Sequence, residues 1–108
     1  MEKVLCVEEA VEMCDNDREF MKEMVGIMRD DVVLCIDLLA KAFNDNNPTQ
    51  TRDVAHRVKG QAANLAAKDL WEKCKKVEDA ANIGFCTKTE YLNLISSMKE
   101  FVRCTKDP

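Results

Sequence analysis

The sequence predicts an all-α protein: an up-down antiparallel four-helix bundle with a short N-terminal helix packed across it. Three observations carry that expectation. Glycine and proline, the two strongest helix breakers, supply only 3 and 2 of the 108 residues. No stretch alternates apolar and polar residues with the period of two that a half-buried strand shows. Apolar residues instead recur at helical spacing in blocks, and the polar breaks between blocks are short enough to make consecutive helices antiparallel neighbours. A chain of 12.3 kDa forms one domain, 1–108, with its bundle core over about 17–104.

The elements follow in order. Val7, Ala10, Val11 and Cys14 stand at i, i+3, i+4 and i+7, which predicts a short amphipathic helix over about 7–14. Asp15-Asn16-Asp17 breaks it and offers an N-cap for a helix over about 18–44. That helix ends in the polar run Asn44-Asp45-Asn46-Asn47. Asn47-Pro48 then reads as an N-cap followed by an N1 proline, opening a helix over about 48–66. Lys68-Asp69 marks the next turn, and a fourth helix runs to about 83, where Gly84 stops it. Thr87 and Glu90 have capping-box spacing and begin a last helix over about 88–104. The second helix carries a surplus. Phe20, Met21, Met24, Val25, Ile27, Met28, Val32 and Cys35 fill nearly half its circumference, more than the roughly 100° stripe one core needs. Two readings are open for the surplus and both can hold at once: the short N-terminal helix covers it, or it is a partner-docking surface with Met24, Ile27 and Met28 as the contacts.

Composition excludes several functions. Sixteen Lys and Arg against 20 Asp and Glu give a net charge of −4, the wrong sign for a dedicated nucleic-acid binder. Gly26, Gly60 and Gly84 lie too far apart to build a phosphate-cradling loop, so nucleotide hydrolysis and kinase activity are not expected. Six scattered cysteines with no C-x-x-C pair fit neither a zinc site nor a thioredoxin-like motif, and most of them read as small buried hydrophobes on helices. The stretch MEKVLCVEEA carries Glu2, Lys3, Glu8 and Glu9 and no apolar run long enough for a signal peptide, so none is expected, and no uncharged run exceeds eight residues, short of a membrane span of about 20. The chain is expected to be cytoplasmic, or to shuttle to the nucleus in a eukaryotic cell, with no membrane or nucleic-acid partner. A single histidine, His56, excludes any site needing two imidazoles, including a di-iron bundle centre built on Asp53-x-x-His56.

The helix around His56 is the informative stretch. Val54, Val58, Ala62 and Leu65 form its core stripe, and His56 stands about 200° from Val54 and Val58, so its ring points outward. On the same face, at i−4, i+3, i+4, i+7 and i+11, stand Arg52, Lys59, Gly60, Ala63 and Ala67. A mid-helix glycine costs about 1 kcal/mol relative to alanine, so Gly60 calls for a reason. The small residues clear a strip along which another protein can approach the ring, and Arg52 and Lys59 could stabilise an anion there. Residues 52–68 carry a local charge of +3 and the remainder −7. Gln61 and Asn64 are candidate polar contacts to a partner or to the ring.

Ala55-His56-x-x-Lys59-Gly60, then Asn64-Leu65-Ala66-Ala67, then Leu70-x3-Cys74-x2-Val77-Glu78, closely resembles the histidine-containing phosphotransfer (Hpt) domain family; Asp17-Arg-Glu-Phe20 resembles the start of that family's second helix. One position departs: the family often has glycine ten residues after the histidine, and this chain has Ala66, a good helix former expected to alter local packing only. The resemblance implies a phosphorelay intermediate. His56 would accept a phosphoryl group at Nε2 from the aspartate of a response-regulator receiver domain and pass it to another receiver, with Lys59 near the phosphate. The partners implied are receiver domains and a hybrid sensor histidine kinase, with the chain itself a monomer. No cofactor of its own is implied; Mg²⁺ would sit on the receiver. Two other classes compete: an interaction module that binds receivers without carrying phosphate, which the presence of His56, Lys59 and Gly60 argues against, and a metal or redox protein built on the six cysteines.

Overall fold

The computed structural model describes residues 4–106. Met1 to Lys3, whose charges entered the argument against an export signal, lie outside the described residues. Five helices follow one another: α1 (Val7–Met13), α2 (Arg18–Asn44), α3 (Pro48–Asn64), α4 (Lys68–Asn82) and α5 (Lys88–Thr105). The last four form the antiparallel bundle, and α3 packs most extensively against α4, with α2 and α5 closing the ring. At about 1.5 Å per residue α2 spans about 40 Å, and the molecule's longest dimension is 41 Å. Short α1 lies against α2, and Ala10, Val11 and Cys14 join the common core.

The starts of α2, α3 and α5 are those the polar residues specify, whereas α1 and α4 begin at Cys6 and Ala67 without a side-chain cap. Asp17 accepts a hydrogen bond from the Phe20 N–H at 3.0 Å and Asn47 from the Gln50 N–H at 3.0 Å. Thr87 and Glu90 form a complete capping box. Each satisfies backbone donors that a helix N-terminus leaves without intrahelical partners.

The helix ends share one solution. In α1 to α4 the second residue past the helix enters left-handed backbone: Asp15 (φ 56°), Asn46 (φ 53°), Ala66 (φ 55°) and Gly84 (φ 85°). The next N–H then reaches back to a carbonyl in the last turn: Asn16 to Val11 (2.9 Å), Asn47 to Ala42 (3.0 Å), Ala67 to Ala62 (2.9 Å) and Phe85 to Ala80 (3.0 Å). This is the Schellman arrangement, which favours glycine or asparagine at its left-handed position. It corrects the expected boundary between α3 and α4. The chain turns at Leu65–Ala67, α3 stops at Asn64, and Lys68 and Asp69 already belong to the first turn of α4. Ala66 is therefore a turn residue and not a helical one.

The core is apolar and well buried, from Leu5 through Leu39, Val58, Leu70, Val77, Leu94 and Met98 to Phe101. Cys14, Cys35 and Cys74 are buried within it, but Cys6, Cys86 and Cys104 are only half-buried, so the buried-hydrophobe reading holds for three of the six; all six thiols are free. Burial pushes the Cys35 thiol up to about 11 and the Cys74 thiol up to about 12, so both stay protonated and inert at neutral pH. No described helix is long and apolar enough to cross a membrane.

Candidate functional site

His56 occupies the middle of α3 with 70% of its side chain exposed, as its helical phase requires. Val54, Val58 and Ala62 hold that helix to the core, while Gly60 and Ala63 are exposed beside the ring. A Cβ added at Gly60 would meet nothing within 4 Å. Nothing among the described residues demands glycine there, so its absence of bulk bears on something arriving from outside. Ala67, by contrast, is fully buried. It lies beyond the end of α3, where the helical phase that placed it on the cleared strip no longer applies, so the strip ends at Ala63.

The residue that organises the site is Glu78 of α4. Its Oε2 lies 2.5 Å from His56 Nδ1, and its Oε1 accepts a hydrogen bond from Lys59 Nζ at 2.5 Å. Burial tends to raise the Glu78 carboxyl, but hydrogen bonds from Lys59 and His56 outweigh that effect and hold it below its ordinary value. An ionised carboxylate only accepts, so Nδ1 is the protonated nitrogen and donates to Glu78. Neutral imidazole then carries its lone pair on Nε2, the nitrogen facing away from the carboxylate. Two elements hold Lys59: Glu78, and the Trp71 ring, whose centroid is 5.8 Å from Nζ.

Glu78 enters the sequence reading only as the last residue of the family motif, with no role at the site assigned to it. The signal was present, because Leu70, Cys74, Val77 and Ala81 form the buried stripe of α4 and Glu78 stands one turn beyond Cys74 on that side. A carboxylate on a core stripe needs donors from a neighbouring element, and α3 supplies two.

The other expected site residues are dispersed. Arg52 pairs with Asp53 at 3.0 Å and takes no part in the Glu78 cluster. Gln61 turns into the seam with α2, where its Nε2 donates to Asp31 Oδ2 at 2.7 Å; that amide is engaged within the chain and not presented to a partner. Arg57 also donates to Asp31, from Nε at 3.0 Å and from Nη2. Asn64 is exposed at the end of α3. On α2, Ile27 is 62% exposed and Met24 half-buried, but Met28 is only 3% exposed. Met28 belongs to the core and drops out of the docking surface, because its phase on α2 matches buried Met21, Val25 and Val32. Phe20 and Leu34 are exposed large apolar residues instead. Ile27 and Leu34 lie one turn on either side of Asp31, which faces α3, so the exposed apolar band runs along the seam beside the histidine helix.

The local positive charge read from the sequence is also offset in three dimensions. Arg57 pairs with Asp31 of α2, Lys59 with Glu78 of α4 and Lys68 with Glu9 of α1. Carboxylates far away in sequence thus meet the cations around His56. Among the described residues, no group of three His, Cys, Asp or Glu side chains could hold a metal ion.

The site is thus one exposed imidazole, oriented by a buried carboxylate, beside a lysine and a cleared helix face. The family model for the Hpt domain matches residues 23–97. The chain belongs to the Hpt domain family. Hpt domains act in phosphorelays, and a phosphorelay role in general applies here. A solved structure, the Hpt domain of a sensor hybrid histidine kinase from Shewanella, superposes with a TM-score of 0.88 over 97% of this chain and 92% of that one. Their sequences are 13% identical, so the likeness speaks for the fold of this Hpt domain. No curated protein matches the chain in sequence.

Proposed function

We propose that this Hpt domain carries phosphate on Nε2 of His56, accepting it from the phospho-aspartate of a receiver domain and donating it to another. The observation that supports this reading is the Glu78–His56 hydrogen bond, which directs the nucleophilic lone pair of an exposed ring outward. Nε2 attacks phosphorus, the acyl phosphate P–O bond breaks, and the aspartate leaves as a free carboxylate. Positive charge develops on the ring as the N–P bond forms, and the Glu78 carboxylate on Nδ1 is placed to stabilise it. Lys59 offers an ammonium to the phosphoryl oxygens, since phosphoryl transfer depends mainly on positioning and charge stabilisation. Mg²⁺ belongs to the receiver in this scheme.

The docking surface joins His56, Gly60 and Ala63 on α3 to the α2 band of Phe20, Met24 and Ile27, with Asn64 at its edge. The Shewanella domain is part of a sensor hybrid histidine kinase, and a histidine-kinase pathway is the setting we assign to this chain. Incubation with a phosphorylated receiver should produce an acid-labile, alkali-stable phosphoprotein, and His56→Gln should abolish it. Label persisting in that variant would overturn the assignment.

A further inference from the structure

Trp71 is the sole tryptophan of the chain, and its place in the fold has a bearing on Lys59. It stands in the first turn of α4, half-buried, with the Lys59 ammonium 5.8 Å from its ring centroid. It also lines a groove with Met13, Ala63, Ala66 and Lys68 that continues the cleared strip beside His56. Lys59 itself is only 21% exposed although it sits one turn from a largely exposed histidine. A lysine stem has four rotatable carbons and in solvent samples many rotamers. Here one wall is the Glu78 carboxylate and the other an indole face, whose negative quadrupole attracts the cation without a directional bond.

We propose that Trp71 is a positioning residue for phosphoryl transfer, acting through Lys59. Its ring keeps the ammonium at the site while the ammonium changes partner, from Glu78 Oε1 in the free protein to the phosphoryl oxygens on His56. Glu78 cannot perform this role alone, because the hydrogen bond to it is the one that must be given up. The indole contact has no preferred direction in the plane above the ring and survives the exchange. Without it, each exchange releases the lysine stem into solvent. The inference rests on His56 being the phosphorylated residue, and its test is arranged so that the two can fail separately.

Phosphoramidate labels the chain without any receiver: its P–N bond breaks, ammonia leaves, and the N–P bond to His56 Nε2 forms. Trp71 emission should change on labelling of the wild-type chain, and per labelled molecule that change should be absent in Lys59→Met. With a phosphorylated receiver as donor, Trp71→Leu should lower the saturating transfer rate about 2- to 5-fold, the factor a partly exposed cation–π contact provides. The receiver concentration giving half that rate should not change. Trp71→Phe keeps an aromatic face and should restore transfer to near the wild-type rate. A wild-type rate in Trp71→Leu, an equal loss in Trp71→Phe, or emission unchanged in labelled wild type would overturn the inference. Emission that responds equally in Lys59→Met would overturn it as well. A wild-type chain that takes phosphate at some residue other than His56 would instead overturn the proposed function.

Discussion

Glu78 and His56 meet across the α3–α4 interface at 2.5 Å, carboxylate Oε2 to ring Nδ1, and the same carboxylate takes a second hydrogen bond from Lys59. One buried acceptor thereby fixes the ring's tautomer and places the nearest cation. Glu78→Gln keeps the size of the side chain but offers one carbonyl oxygen where two donors compete, and turns an amide N–H₂ toward the other donor. Phosphotransfer to His56 should fall at least about 10- to 100-fold, the cost of removing the carboxylate that orients a metal-bound imidazole. Quench-flow transfer from a labelled receiver measures it. A Glu78→Gln chain that accepts phosphate at the wild-type rate would remove the carboxylate from the mechanism.

The same cluster makes stability depend on pH. Burial raises the Glu78 carboxyl, but Lys59 and His56 more than offset it, and the group lies below its ordinary 4.5. Asp31 follows the same pattern: burial raises it, and hydrogen bonds from Arg57 and Gln61 bring it below its ordinary 3.8. The unfolded chain therefore binds these protons more readily than the folded one, and stability rises with pH in that range. The contribution is fully present above pH 4.5 and is lost as pH falls through the lowered folded values. Urea midpoints should drop on acidification below pH 4.5, and a chain carrying Glu78→Gln and Asp31→Asn should show a flatter dependence there. An unaltered slope in that double variant would assign the acid sensitivity to other carboxylates.

Ala66 gives a prediction of opposite sign. Three of the four helices that end in a left-handed residue place Asp, Asn or Gly there, and α3 places alanine at φ 55°. An L-residue with a plain Cβ pays about 1–2 kcal/mol for that conformation. Ala66→Gly should raise stability by about 1 kcal/mol, after allowance for glycine's greater freedom in the unfolded chain, and raise Tm by roughly 4–8 °C. Thermal denaturation followed by circular dichroism decides it. A lowered Tm would mean that the alanine methyl contributes packing exceeding its backbone strain.

What the sequence could disclose divides along a physical line. The starts of α2, α3 and α5 were legible because Asp17, Asn47 and Thr87 are side-chain caps encoded within three residues of the donors they satisfy; α4, capped by no side chain, starts earlier than its sequence suggests. The exposure of His56 followed from helical phase against Val54 and Val58. The end of α3 was not legible, because a Schellman turn is a backbone event and Ala66 carries no side-chain signal for it. Met28 was misplaced for a related reason: an apolar arc shows that two surfaces are covered, not where the border between them falls. The pairings Lys59–Glu78, Arg57–Asp31 and Lys68–Glu9 join residues on different helices. Only the packed bundle brings those charges together, so a window of 17 residues read as basic is in fact largely neutralised.

Gly60 separates docking from folding. Its would-be Cβ faces open space, with nothing within 4 Å, and an alanine in its place should add about 0.5–1 kcal/mol of stability through helix propensity alone. Glutamine is also a better helix former than glycine, so Gly60→Gln should raise Tm too. Its longer side chain, however, stands one turn from His56 on the face proposed above for receiver docking. Transfer in Gly60→Gln should fall on the order of 10-fold or more, because displacing reacting atoms by even about 1 Å is costly, whereas the shorter methyl of Gly60→Ala should cost far less. Thermal melts and transfer rates on both variants check the pattern, in which stability rises as activity declines with side-chain length. Equal transfer rates in the glutamine variant and the wild type would show that the partner approaches His56 from another side.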